Sequence, residues 1–173
     1  MFGNVRLNTA MLDRLAHTPL TLVLPLQDET LVDCLAQGLT EHDGCILLSA
    51  FAVNCAPYDP SLFFDRTGYE CFVNHVHIVH GPSSPDELRE AFAYAQQLAV
   101  LLKAEPGPFM IIVSQHLTTS EATVRFHKIR PDEAWLADDL ESYADEAIIA
   151  IVAADLVRVA HPPLTPERSS RLL

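Results

Sequence analysis

The feature that most limits how this chain can fold is one long amphipathic segment with a clear start and stop. Ser84-Pro85-Asp86-Glu87 places a capping Ser before a Pro at the first helical position, with Glu three residues on. Leu88, Ala91, Phe92, Ala95, Leu98, Ala99 and Leu102 then recur at helical spacing, and Glu105-Pro106-Gly107-Pro108 ends the run near Ala104. A stripe this broad must be covered by another apolar layer. The flanking sequence supplies strands to do so. Phe109 to Ser114 and Ala147 to Ala153 read as buried strands, and Ala122 to Ile129 as a third. Leu117 to Glu121 between the first and third reads as a turn, so the two form a hairpin.

The N-terminal half alternates in type. Asn8 caps a helix from Thr9 to Ala16, and Asp28 caps one reaching Leu39. Thr21 to Leu26 and Cys45 to Phe51 read as strands, with a long loop from Val53 to Gly68. Tyr69 to His80 is rich in aromatic and β-branched residues and ends at Gly81-Pro82, so it too reads as a strand. Pro131-Asp132-Glu133 opens a short helix containing Trp135, Leu136 and Leu140. The resulting class is α+β or α/β: a mixed sheet of about five to six strands with helices packed on it. Residues 1–160 form one domain, since 173 residues is close to the usual domain size of roughly 100–150. Residues 161–173, with three Pro and three Ser or Thr, are expected to be a poorly ordered tail. The core is expected at Leu22, Leu24, Leu35, Ile46, Leu48, Val73 or Val76, Phe92, Ala95, Leu98, Ile111, Val113, Val124 or Phe126, Ile149 and Ile151.

Composition bears on partners and compartment. The formal charge is −12, a sign that repels phosphate backbones and anionic lipid and favours a basic partner. No apolar run reaches the ~18 residues that would span a bilayer. Asp13 and the lack of a small-residue cleavage site argue against a secretory leader, so a cytoplasmic protein is expected. Cys34, Cys45, Cys55 and Cys71 form no C-x-x-C pair and sit in apolar or loop settings, as reduced thiols in a reducing compartment would. Nine Arg against two Lys, with 20 Ala, is the usage of a GC-rich bacterial genome.

The six glycines are isolated, so neither a G-x-G-x-x-G nor a P-loop cradle can be drawn. H-E-x-x-H and G-x-S-x-G are also absent. Two patterns remain. The first is acidic. Trp135 stands among Asp132, Glu133, Asp138, Asp139, Glu141, Asp145 and Glu146, an aromatic anchor ringed by carboxylates. With Trp135, Asp138, Asp139 and Glu141 as contact residues, the chain would be a cytosolic binding module without a cofactor. An immunity or inhibitor protein for a basic partner is one such module. The second pattern is His75-x-His77. On a strand the two imidazoles fall on one side, about 7 Å apart at the Cα atoms. With Cys71 on the same face, and His116 and His127 on the later hairpin, they could share one divalent transition metal such as zinc, in a metal-binding protein or a metal-dependent enzyme. Cys71 with His75 or His127, near Glu70 or Asn74, is a weaker nucleophile arrangement. Asp65, Arg66 and Tyr69 could line a polar pocket, and Arg125 and Arg130 could pair with the acidic run as surface ions.

Overall fold

The computed structural model describes residues 5–18, 25–53, 60–79 and 87–160. Its centre is the layer demanded by the long helix, α5 (Glu87–Leu102). Leu88, Ala91, Phe92, Ala95, Leu98, Ala99 and Leu102 are all buried and face a five-stranded sheet. In chain order the strands are β1 (Val5–Leu7), β4 (His75–Ile78), β5 (Phe109–His116), β6 (Ala122–Lys128) and β7 (Glu146–Val152). Their order across the sheet is β1-β7-β5-β6-β4. Every pairing is antiparallel, so the alternation of strand and helix early in the sequence produces no parallel pair. This is an α+β fold.

The period-two pattern splits each strand cleanly. Val76, Ile78, Phe109, Ile111, Val113, Val124, Phe126, Ile149 and Ile151 point into the core beneath α5. The expected core is therefore buried, with Leu35 at its margin and Val73 in a separate small cluster. Leu22, Leu24, Cys55, Ser84 with its capping box, most of the strand expected from Thr21, and residues 161–173 lie outside the described residues.

Two caps form as the sequence suggests. The Asn8 side chain accepts from Met11 N and starts α1 (Thr9–His17). Asp28 accepts from Thr30 N and Leu31 N and starts α2 (Glu29–Ala36). Beyond α2 the expectation changes. The helix stops before Leu39 because Gly38 adopts φ +75, and Leu39 begins a second sheet. β2 (Leu39–His42) and β3 (Cys45–Leu48) pair through a two-residue turn in which Asp43 (φ 50) and Gly44 (φ 77) are both left-handed. That is the Asp-Gly signature of a tight hairpin, and the strand expected from Cys45 to Phe51 ends at Leu48. Ser49–Ala52 is instead one helical turn, α3.

The largest correction concerns Tyr69 to His80. Its first half is a helix, α4 (Arg66–Val73), capped by Asp65, whose Oδ1 accepts from Gly68 N at 2.7 Å. Only His75–Ile78 is strand. The period-two pattern misleads because α4 is buried on several sides, with Tyr69, Glu70, Cys71 and Val73 all covered. A second correction is the helix expected after Pro131. Asp132 has φ 63, which a right-handed helix cannot contain, and the chain stays irregular apart from a 3-10 turn at Leu140–Ser142. A last helix, α6 (Ala153–Ala160), follows β7. Among the described residues no helix is long and apolar enough to cross a membrane.

Leu98 is 1% exposed in the middle of the α5 stripe. Leu98→Ala should lower the unfolding free energy by about 2–5 kcal/mol in chemical denaturation. A loss below about 0.5 kcal/mol, the range of surface positions, would contradict this packing.

Candidate functional site

The face of the sheet turned away from α5 carries the polar side chains. Register decides which of them meet. His75, Arg125, Ile112, Ala150 and Arg6 are successive cross-strand partners and form one row across all five strands. His77, Thr123, Ser114 and Ile148 form the next row, and His116 pairs with Glu146 further along. Directly opposed residues share a face, so these side chains lie on one surface.

Segment 131–145 crosses that surface as a strap. Arg6 Nη2 donates to Ala137 O at 2.7 Å and Asp138 O at 2.9 Å. Glu141 Oε1 accepts from Thr9 N and Thr9 Oγ1, both at 2.8 Å. Tyr143 OH accepts from Ala137 N, tightening the strap on itself. Beneath it lies a cavity of about 160 Å³ lined by Ile112, Ser114, Arg125, Trp135, Leu136, Tyr143, Glu146 and Ile148.

Arg125 is the unusual group in this cavity. Its Nη2 donates to the His75 ring, 2.9 Å from Nε2, and the centroid of the Trp135 ring lies 5.3 Å from the guanidinium carbon. Nε is buried and has no hydrogen-bond partner. Among the described residues no carboxylate forms an ion pair with it. Burial pulls its pKa below the ordinary arginine value, while Cys71 and Glu146 act in the opposite sense. Burial also lowers His75, to about 4, with Arg125 and His77 adding repulsion. The His75 imidazole is therefore neutral near pH 7 and can accept from Arg125.

The five residues of the metal expectation do not converge. The His75 and His77 rings do lie side by side, with centroids 4.0 Å apart. His77 is hydrogen-bonded to Glu121, and His75 is engaged by a guanidinium. His116 Nδ1 accepts from Thr118 N and Thr119 N and closes the β5–β6 turn. His127 is buried, donates to Lys128 O at 3.0 Å, and is held below the usual histidine range by desolvation. Cys71 is not on the strand. It sits on α4, packed against Ile112, Ile148 and Ala150. Among the described residues no three His, Cys, Asp or Glu groups are placed to hold one ion.

Nor does a nucleophile set assemble around Cys71. Burial pushes its thiol well above the ordinary range, and Asn74 bonds to Ile46, Leu48 and Phe126 instead. Cys34, Cys45 and Cys71 are all free and buried, and burial also raises Cys45, to about 11. The polar pocket expected from Asp65, Arg66 and Tyr69 is not built, since Asp65 caps α4 and Tyr69 is 2% exposed. Arg130 is no surface ion: it forms a two-pronged pair with the fully buried Glu70.

The acidic expectation concerns surface positions. Trp135 is 38% exposed, and Asp132, Asp138, Asp139, Glu141 and Asp145 are exposed. Glu133 is partly buried and accepts from Thr67 N. Sequence reasoning set Glu146 near Trp135 but did not join it to Arg125, and it missed Tyr143. The period-two pattern of β6 and β7 does put Arg125 and Glu146 on the face opposite the core, and that was the available signal.

Residues 6–161 match the model of the Uncharacterized protein PM0498 family, and the chain belongs to that family. Comparison with curated proteins and with solved structures found no match.

The depressed His75 pKa has a direction for stability. As pH falls, the unfolded chain takes up the proton near 6.5, while the folded protein resists until about 4. The stabilisation is complete above about 6.5 and is lost as pH falls toward 4. His75→Gln keeps an acceptor near Arg125 but does not titrate. Urea midpoints measured from pH 7 to 4 should fall less steeply for this variant than for the wild type. Equal slopes would show that His75 is not held neutral by its surroundings.

Proposed function

We propose that this protein is a binding module for a basic protein partner, of the immunity or inhibitor kind, and that the partner docks on the acidic strap around Trp135. The observation that carries the reading is the half-exposed state of Trp135 on an irregular segment held down by Arg6 and Thr9. A large aromatic that is presented rather than buried, and already fixed in place, loses little entropy on contact. The exposed carboxylates of Asp138, Asp139 and Glu141 further along the same segment would add an acidic flank, and the −12 net charge would speed approach of a cationic surface. The same field disfavours nucleic acid. Buried, reduced cysteines suit a bacterial cytoplasm.

A photoreactive amino acid at position 135 should crosslink to a partner of opposite charge in cells. With that partner purified, association should slow as salt rises, because exposed charges are screened beyond about 8 Å at physiological ionic strength. Reversing Asp138 and Asp139 to Lys should lower the on-rate about tenfold. Trp135→Ala should raise the off-rate roughly 30-fold, as for a central anchor. Absence of a crosslink, or rates insensitive to both salt and these substitutions, would overturn the proposal.

A further inference from the structure

Arg125 and Arg130 are both partly covered, and the contrast between them is informative. Arg130 donates two parallel bonds to Glu70, each 2.8 Å, and others to the carbonyls of Lys128 and Gly44. Arg125 has one neutral imidazole as its hydrogen-bonding partner, an aromatic face, and a buried Nε with nothing to donate to. A desolvated guanidinium left without an anion is costly, and its planar fork is shaped to hold a carboxylate through two bonds.

Arg125 is one wall of the cavity beneath the strap. Glu146 lines the same cavity yet forms no ion pair with Arg125. Opposite charges therefore share one small space without touching. A ligand that is only anionic would be opposed by Glu146, and one that is only cationic by Arg125. A ligand bearing both charges satisfies both walls. Ile112, Leu136 and Ile148 provide apolar surface between them, and the Trp135 ring bounds the remaining side. The volume, about 160 Å³, equals roughly five waters at 30 Å³ each, well below a drug-sized site.

We propose that this cavity binds a small zwitterionic amino acid, with its carboxylate on Arg125, its ammonium on Glu146 and a short aliphatic side chain against Ile112, Leu136 and Ile148. Neutral His75 completes the site by positioning the guanidinium from the far side without competing for the carboxylate. The site does not rest on the protein-partner reading, and either can fail without the other.

The chain contains a single tryptophan, so its tryptophan emission comes from the ring that borders this cavity. The test is titration of the full-length protein with L-alanine, with propionate as the carboxylate without the amine and ethylamine as the amine without the carboxylate. Calorimetry runs alongside, so that a silent fluorophore does not decide the result. The expected result is saturable binding of L-alanine, at least tenfold tighter than either half-ligand. Glu146→Gln should weaken L-alanine at least tenfold while leaving propionate unchanged or tighter. Arg125→Gln should abolish L-alanine binding, with circular dichroism checking that it folds. If Arg125→Gln does not fold, the opposite responses of Glu146→Gln to the two ligands still decide. No saturable binding of L-alanine by either method up to about 10 mM would overturn the proposal. So would propionate binding the wild type as tightly as L-alanine, or Glu146→Gln leaving L-alanine unaffected.

Discussion

The carboxylate of Glu70 joins α4, β3, β6 and Arg130 at one buried point. It is fully buried and accepts four hydrogen bonds. Oε1 takes Ile46 N of β3 and Arg130 Nη2; Oε2 takes Lys128 N of β6 and Arg130 Nη1. A buried charge is tolerable only when its lone pairs are satisfied and a counter-charge is present, and both conditions are met here. One turn further along α4, Asn74 accepts from Leu48 N and donates to Ile46 O and Phe126 O. Four residues of helix advance about 6 Å and two residues of strand about 6.8 Å, so two side chains at i and i+4 can serve alternate residues of β3. The outer edge of the small hairpin is thus paired with helix side chains instead of another strand, and its backbone groups are not left open.

That arrangement sets the geometry of the opposite sheet face. Asn74 closes α4, and His75 is the next residue and the first of β4. Because the helix ends there, His75 falls opposite Arg125 and offers it a neutral acceptor. α4 also carries Cys71 onto the same face, where it packs against Ile112 and Ile148 and leaves the rest to the strap. Asn8 performs a comparable task at the other edge. It accepts from Met11 N and Ile148 N and donates to Glu146 O, tying α1 to β7 beside the cavity. Arg125 keeps an unsatisfied Nε while Glu70, Asn74 and Arg130 are hydrogen-bonded, and the two proposals for this face differ in what they ask of it. A protein partner needs the outside of the strap; a small ligand needs the space beneath it.

Local signals made much of the fold legible. Caps at Asn8 and Asp28, the α5 stripe, and the β5–β6 hairpin each depend on residues close in sequence, and they appear where those residues stand. What failed was local evidence overridden by long-range contacts. β1 has three residues and exists because β7 pairs with it 140-odd positions away. Tyr69 to Val73 alternates like a strand, but Glu70 and Asn74 make sense only as successive turns of a helix facing β3. Asp43-Gly44 was a readable hairpin signal whose partner strand, Leu39–His42, looks like the end of the preceding helix. For the site, the shared face of His75 and His77 was legible from alternation. Its association with Arg125, Trp135 and Glu146 was not, because register between strands 50 residues apart is carried by the whole sheet.

The central claim is that Glu70 holds the β2–β3 hairpin onto the sheet. Amide hydrogen exchange in Glu70→Gln tests it most directly, because the amide matches the carboxylate in shape but cannot receive both prongs of Arg130. The account predicts that Ile46 and Leu48 lose at least about 100-fold more protection than Ile111 at the centre of β5, as expected for local opening of one unit. Protection at Ile46 and Leu48 that changes no more than at Ile111 would contradict it.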